Sequence, residues 1–273
     1  MENFTVLMSV YKKDNPFYVK KAIESITKNQ TLLPQEVIII VDGPVKDNLL
    51  NVIKSYETES TLYKIIWLKE NRGLGNALRI GVEKASNEII ARMDSDDVAH
   101  PNRFEKQISF LKANPNCDLV GGQITEFIGD ENNIVGTRQV PTANNEIYRW
   151  MRQRCPFNHM TVMFKKSKIL ETGNYIDWHY NEDYYLWIRM ALASMTFANL
   201  PDTLVNVRVG EEMYKRRGGW AYFKSEKGIQ DFMLKKKLIS LPRYIFNVTI
   251  RFIVQVAIPN NIRGFIFQKL FRK

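Results

Sequence analysis

Three carboxylates fall within four residues in Asp94-Ser95-Asp96-Asp97, directly after the apolar run Ile89-Ile90-Ala91-Arg92-Met93. Charges packed that closely repel one another. A hard divalent cation relieves the repulsion, because Mg2+ and Mn2+ take oxygen ligands and share them with substrate phosphates. The same acids would also suit the start of the helix that Pro101 opens, where the helix dipole favours negative charge. Their place at the end of an apolar strand favours the metal.

Other segments offer complementary groups. In Asn71-Arg72-Gly73-Leu74-Gly75-Asn76 the glycines ahead of a helix let backbone amides approach a phosphate, or simply make a tight turn. A dinucleotide fingerprint would need a third glycine where Leu78 stands, and it would follow the first strand, so a dehydrogenase is excluded. Arg72 carries a guanidinium suited to a diphosphate or a base edge. Asp42-Gly43-Pro44 has the composition of a turn, and its position also suits a nucleotide contact. Tyr11 stacks on a base or caps the core. Glu182-Asp183 supplies either a cap at a helix start or a general base. His159 is either a buried, hydrogen-bonded histidine or a lining residue of an acceptor site, and Glu182 and Trp187 are further acceptor-site candidates.

The elements that must position these groups repeat one rhythm over the first 115 residues. Residues 5–10 read as a strand, and Asn15-Pro16 opens a helix with Asn as cap and Pro in the first turn. Val19, Ala22, Ile23 and Ile26 form its buried stripe. Residues 36–41, 63–68 and 88–93 are further strands, and residues 49–56, 73–85 and 101–113 are helices. Fully apolar strands alternating with helices predict a mostly parallel α/β sheet covered on both faces. Ligands of such sheets bind outside the carboxyl ends of the strands. Tyr11, Asp42, Arg72 and the Asp94 cluster stand at four such ends. Beyond Asn116 the pattern is mixed, with strands over 119–127, 159–164 and 204–208 and helices over 144–154 and 183–193. No linker separates the halves.

Charge is unevenly spread. The net charge is +10, yet residues 213–273 hold 14 of the 39 Lys and Arg and only two acids, Glu226 and Asp231. Two cysteines, Cys117 and Cys155, are too few for a disulfide scaffold and fit a reducing compartment. No secretory signal is visible, and no apolar run reaches the ~18 residues of a spanning helix. A cytoplasmic protein is therefore expected. Asn247, Arg251 and Gln255 recur every four residues as a narrow polar stripe on an otherwise apolar helix, and Ile262, Phe265, Ile266, Leu270 and Phe271 alternate with basic residues. Core packing accounts for the apolar bulk; the charge asymmetry favours a basic amphipathic tail on an anionic membrane surface.

Taken together, the motifs resemble those of inverting family 2 glycosyltransferases with a GT-A (Rossmann-like) fold, in the amylovoran/exopolysaccharide branch. The resemblance rests on Met8-Ser9-Val10-Tyr11, Val41-Asp42-Gly43-Pro44, Asn71-Arg72-Gly73-Leu74-Gly75 and Met93-Asp94-Ser95-Asp96-Asp97. Further on it rests on residues 159–164, Glu182-Asp183-Tyr184-Tyr185-Leu186-Trp187, and Val207-Arg208-Val209-Gly210 followed by residues 214–219. It covers residues 4–220 well and the tail loosely. It implies that Ser9, Tyr11, Asp42 and Arg72 hold a nucleotide, usually uridine. Asp94 and Ser95 would contact the sugar side, Asp94 and Asp96 a Mn2+ or Mg2+, and Asp183 would be the catalytic base. Two departures stand out: no histidine follows His179, so a late histidine ligand is missing, and the Gln-x-x-Arg-Trp motif of processive synthases is absent.

The resemblance implies a GT-A domain over residues 1–220, with a nucleotide-sugar half at 1–115 and an acceptor half at 116–220, and a basic helical tail at 221–273. The expected reaction moves a single hexose or N-acetylhexosamine from a UDP-sugar to a polyprenyl-diphosphate-linked saccharide, forming a beta linkage. Capsule, O-antigen or exopolysaccharide synthesis at the inner face of the cell membrane is the implied setting. A nucleotidyltransferase would need a Gly-rich, Lys-bearing loop after the first strand, and Tyr11-Lys12-Lys13-Asp14 has no glycine. A nucleic-acid-binding module would use the basic tail, but the tail's aliphatic bulk favours lipid, so nucleic acid is not an expected partner.

Overall fold

Val6, Leu7, Met8 and Val10 are all fully buried, as a strand covered on both faces requires. They belong to β1 (Phe4–Val10), the centre of the sheet's N-terminal half, in a computed structural model that describes residues 3–210 and 218–258. β2 (Glu36–Val41) pairs with β1 in parallel, and β3 (Tyr63–Trp67) pairs with β2. The chain then returns to lay β4 (Ile89–Met93) on the other side of β1. Three helices make these crossovers: α1 (Pro16–Ser25), α2 (Asp47–Glu59) and α3 (Leu74–Lys84). Asn15 caps α1 through its side chain, which accepts from the Phe17 N–H, with Pro16 in the first turn as expected. Strand growth reverses between β1 and β4, which makes their carboxyl ends the switch-point crevice of an open sheet.

The second half is mixed. β5 (Val98–Ala99) and α4 (Arg103–Ala113) lead to the nine-residue β6 (Leu119–Phe127), which carries β7 (Ile134–Arg138) on one edge. α5 (Asn144–Met151), β8 (Met163–Lys165), α6 (Lys166–Glu171), α7 (Glu182–Leu192) and β9 (Phe197–Arg208) follow. β8 joins β4 and β6 antiparallel, so one sheet of order 3-2-1-4-8-6-9-5 runs through both halves. One core layer packs α1, α2 and α4 on Val6, Met8, Val37 and Ile39; the opposite layer packs α3 and α7 on Leu7, Ile38 and Ile40.

Several expectations are corrected. Residues 159–164 do not form one strand: His159–Thr161 is a 3-10 turn, and only Met163–Lys165 is extended. Thr161 turns the chain by bonding the Asn158 carbonyl through both its N–H and its hydroxyl. The strand expected over 204–208 begins at Phe197, with Pro201 accommodated where the pairing with β6 shifts register. β5, β7 and α6 are too short or too polar to announce themselves. α7 starts at Glu182, one residue before the expected 183, and is buried on most of its surface.

Two helices, α8 (Trp220–Lys235) and α9 (Leu241–Phe252), close the described chain, with a π-helical turn at Ile253–Ala257. The part of the expected tail beyond residue 258 lies outside the described residues. Asn247, Arg251 and Gln255 face inward, Tyr244 and Val248 are half-buried, and Leu241, Ile245, Phe246, Ile250 and Phe252 face outward.

Candidate active site

The rim at the ends of β2 and β3 is fastened by one buried carboxylate. Asp42 follows β2 and accepts the backbone N–H of Arg72 at 2.7 Å and of Gly73 at 3.0 Å, one on each oxygen. Its carbonyl accepts the Asn71 side-chain amide. The loop after β3 is thereby fastened to the end of β2. Gly43 makes the approach possible: its φ is +87°, and a Cβ there would lie 2.5 Å from the Asn71 nitrogen. The Arg72 guanidinium projects outward beside Glu70, at 3.3 Å. Ser9 is half-buried one residue from the end of β1. Just beyond, the Tyr11 N–H donates to Asp14 at 2.9 Å. An open cleft of about 730 Å3 runs between the β1–α1 loop and the turn after β2, lined by Lys12, Lys13, Asp14, Pro44 and Lys46 among others.

The acidic turn follows β4, across the switch point. Ser95 donates its hydroxyl to Asp14 at 3.0 Å, which ties the turn to the β1–α1 loop. Burial pushes Asp14 up to about 6. Asp97 is buried and accepts the Arg208 N–H at 2.8 Å; burial and then the Asp96 charge hold its carboxyl well above the ordinary range. The Asp96 side chain reaches the surface, yet it is pushed up to about 6, first by loss of solvent and then by Asp94. Asp94 pairs with the buried Arg92. Among the described residues no group of three or more His, Cys, Asp or Glu side chains is placed to hold a metal ion. Asp94 and Asp96 offer only oxygen donors, a set that fits a hard cation completing its shell with phosphate.

The third group sits at the start of α7. Asp183 accepts the Tyr184 N–H at 2.6 Å, and Cys155 Sγ lies 3.8 Å from its other oxygen. His159 Nδ1 is 4.0 Å from that same oxygen, and its Nε2 meets the Tyr175 hydroxyl at 3.0 Å. Burial, aided by Arg92, holds His159 well below the usual histidine range, so the ring is neutral. Glu182 is buried; burial and then the Asp183 charge push it up to about 8. Asp183 is also raised by burial, against its hydrogen bond from Tyr184 and the charges of Arg92 and Arg138. Burial thus raises both acids, and the Asp183 charge adds to the rise of Glu182. Gly75 lets this helix start come close to α3, since a Cβ there would sit 3.2 Å from Glu182 Cβ. Arg92 and Asp94 both act on Glu182 electrostatically, so the start of α7 lies within electrostatic reach of the acidic turn.

The glycosyl transferase family 2 model matches residues 5–173, which include the β1 end, the Asp42 turn, the Arg72 loop and the acidic turn. The chain belongs to glycosyltransferase family 2. The amylovoran biosynthesis glycosyltransferase AmsE of Erwinia amylovora is 37% identical over 266 residues, covering 97% of this chain and 98% of that one. The UDP-Gal:alpha-D-GlcNAc-diphosphoundecaprenol beta-1,3-galactosyltransferase of Escherichia coli is 36% identical over 270 residues, covering 99% and 97%. In three dimensions the chain resembles the mannosyltransferase PcManGT from Pyrobaculum calidifontis in complex with GDP-Man and Mn2+. That likeness has a TM-score of 0.64 at 15% identity and covers 93% of this chain and 70% of that one, which places the fold in the GT-A class. A nucleotidyltransferase is thereby set aside.

In this glycosyltransferase Ser9, Tyr11, Asp42, Asp94, Ser95 and Asp96 stand at or just past the carboxyl ends of β1, β2 and β4, Arg72 lies on the loop after β3, and His159 lies beside Asp183, which with Glu182 starts α7. Trp187 is a correction. It has no exposed surface and packs behind His159 and against Phe157, with ring centroids 6.0 and 5.6 Å away, so it supports the site from the core and cannot line an acceptor pocket. Asp42 is likewise more than a rim residue, since both its oxygens hold the Arg72–Gly73 backbone. Sequence reasoning missed Asp14, Arg92 and Arg208. Arg92 is a charged residue inside an otherwise apolar strand, which was the available signal. Arg208 stacks over Tyr18 at 3.7 Å and braces the acidic turn by donating Nε to the Asp96 carbonyl at 3.2 Å.

Proposed function

We propose that this glycosyltransferase moves a single hexose or N-acetylhexosamine from a UDP-sugar to the saccharide of a polyprenyl-diphosphate-linked acceptor, with inversion to a beta linkage. The observation that carries the proposal is the acidic turn at the carboxyl end of β4, with the Glu182-Asp183 start of α7 near enough for Arg92 and Asp94 to act on Glu182. The E. coli relative, whose name specifies a UDP-galactose donor and a diphosphoundecaprenol-linked acceptor, supports the substrate classes.

The acceptor hydroxyl oxygen attacks the anomeric carbon as the bond to the UDP oxygen breaks. Asp183 takes the hydroxyl proton, and UDP leaves. Asp183 suits the role because the Tyr184 N–H and the charges of Arg92 and Arg138 oppose the upward push of burial on its carboxyl, whereas burial and the Asp183 charge push Glu182 up to about 8. Ser9, Tyr11, Arg72 and the Asp42-fastened loop hold the nucleotide. Asp94 and Asp96 would hold a Mn2+ or Mg2+, which when bound would supply neutralisation of charge on the leaving diphosphate. Ser95 orients the donor on that side, and His159 with Glu182 lines the acceptor side. The donor sits on residues 1–115, the acceptor on 116–220, and the basic tail from 221 keeps the enzyme peripherally on the inner face of the membrane. No helix among the described residues is long and apolar enough to cross it.

A panel of UDP-sugars offered with an undecaprenyl-diphosphate-linked sugar, read by UDP release, tests the reaction. Acceptor-dependent release from one donor is expected. Its absence from every UDP-sugar, with release from a GDP-sugar, would overturn the uridine assignment. Chelation by EDTA and the Asp96→Asn variant should each abolish turnover, with Mn2+ or Mg2+ restoring only the chelated wild type; full turnover in EDTA would remove the metal.

A further inference from the structure

We infer that the outward half of α9 is a membrane-insertion face, seated at the headgroup–acyl boundary of an anionic bilayer; this rests on the lipid-linked acceptor proposed above. The helix is inverted relative to an ordinary surface helix. Leu241, Ile245, Phe246, Ile250, Phe252 and Ile253 each expose between 40 and 58% of their surface. At 100° per residue they fall on one half of the helix, with Thr249 the single polar residue among them and Arg243 at the edge. Trp220, also exposed, extends the patch, its ring 5.9 Å from that of Phe252. Contiguous apolar exposure of this kind marks an interaction surface.

The polar stripe is what docks the helix to the domain. Asn247 donates to Gln230 at 2.8 Å and to the Arg152 carbonyl at 2.9 Å. Arg251 pairs with Glu226 and donates to the Gln153 carbonyl at 2.6 Å. With its hydrogen-bonding side consumed inward, α9 cannot bury its apolar side by rolling over. α8 continues the connection: Asn181 donates to the Ser225 hydroxyl at 3.0 Å, and Trp178 to the Ser225 carbonyl at 3.2 Å. The outward face is therefore held in a set orientation to Glu182-Asp183.

Charge selects the occupant. Lys235, Lys236 and Lys237 end α8 and begin the loop to α9, and residues 213–273 carry 14 basic residues against two acids. A second copy of this chain would bring like charge onto like charge, whereas anionic headgroups attract each cation near the surface. Twelve residues are too short to span, so the helix lies in the interface plane.

The test uses the full chain with vesicles of phosphatidylcholine alone or mixed equally with phosphatidylglycerol. Wild type is expected to float with the anionic vesicles and to shift Trp220 emission to the blue, a shift that Trp220→Phe removes. The Ile245→Gln/Phe246→Gln/Ile250→Gln variant should lose at least tenfold in partition while its circular dichroism and its turnover of a water-soluble acceptor analogue stay unchanged. Lys235→Gln/Lys236→Gln/Lys237→Gln should weaken only the phosphatidylglycerol-dependent part. Wild-type partition by the apolar triple variant would overturn the inference. So would wild-type dimers that the triple variant converts to monomers without any vesicle binding, or tighter vesicle binding by a chain ending at Ile258, which would mean that residues 259–273 cover the face. Loss of sugar transfer in every assay would defeat the enzymatic proposal, and the flotation result would still decide the face.

Discussion

At the scale of single residues, the roles proposed for two adjacent acids rest on their surroundings. Asp183→Asn keeps the size of the side chain and removes its basicity, so kcat should fall by ~10²–10⁴-fold with UDP-sugar affinity nearly unchanged. Near-normal kcat here, with Glu182→Gln inactive, would transfer the role to Glu182. The same pair makes a stability prediction. Glu182 is raised from 4.5 to about 8 in the folded state. A carboxylate raised on folding binds its proton more tightly in the folded chain, so stability is fully present below about 4.5 and is lost as pH rises toward 8. Glu182→Gln should therefore raise Tm by several degrees at pH 8.5 and by little at pH 5. Thermal unfolding at the two pH values checks this, and an equal gain at both would contradict the burial argument. Activity should have an acid limb set by Asp183, whose carboxyl lies above the ordinary aspartate value; kcat/KM then declines as pH drops through it.

At the scale of elements, the site depends on loops that the strands hold in place. The Asp42–Arg72–Gly73 bonds fasten the loop after β3 to the end of β2, and Gly43 leaves space for it. Gly43→Ala would combine a positive φ with backbone overlap at Asn71, at a cost above ~1 kcal/mol. The loop should shift, so donor KM should rise several-fold with kcat less affected. A variant with wild-type KM and Tm would show that the clamp does not position Arg72. α7 behaves differently. Tyr184, Trp187, Ile188 and Met190 anchor it in the core, so the proposed base would be carried by a helix and the proposed donor contacts by fastened loops.

For the whole molecule, the ion pair of Glu226 and Arg251 joins α8 to α9 with both side chains nearly buried. Glu226→Ala would leave Arg251 unpaired, at a cost of about 3–5 kcal/mol. Urea unfolding should show this as a lower midpoint, or as early release of α9. Turnover of a membrane-embedded acceptor should then fall more than turnover of a soluble analogue. Equal losses on the two acceptors would separate the tail from acceptor delivery.

Much of this protein is determined by short-range features of its sequence. β2, β6 and the first crossover helices lie where periodicity, caps and apolar runs predict them, because each is a local signal of a few residues. The acidic turn and the Glu182-Asp183 helix start are legible for the same reason, since their chemistry lies in adjacent residues. Other features depend on what the rest of the chain brings beside a residue. Trp187 is aromatic and next to the acids, yet packing from Phe157 and Tyr175 leaves it no surface. Arg92 becomes part of the site only because α7 and the 3-10 turn arrive from residues far along the chain. The stripe of Asn247, Arg251 and Gln255 has the same spacing whether it faces water or protein. Only the tertiary structure turns it inward, because Gln230, Glu226 and the carbonyls after α5 supply Asn247 and Arg251 with the partners that a polar side chain requires when it leaves water.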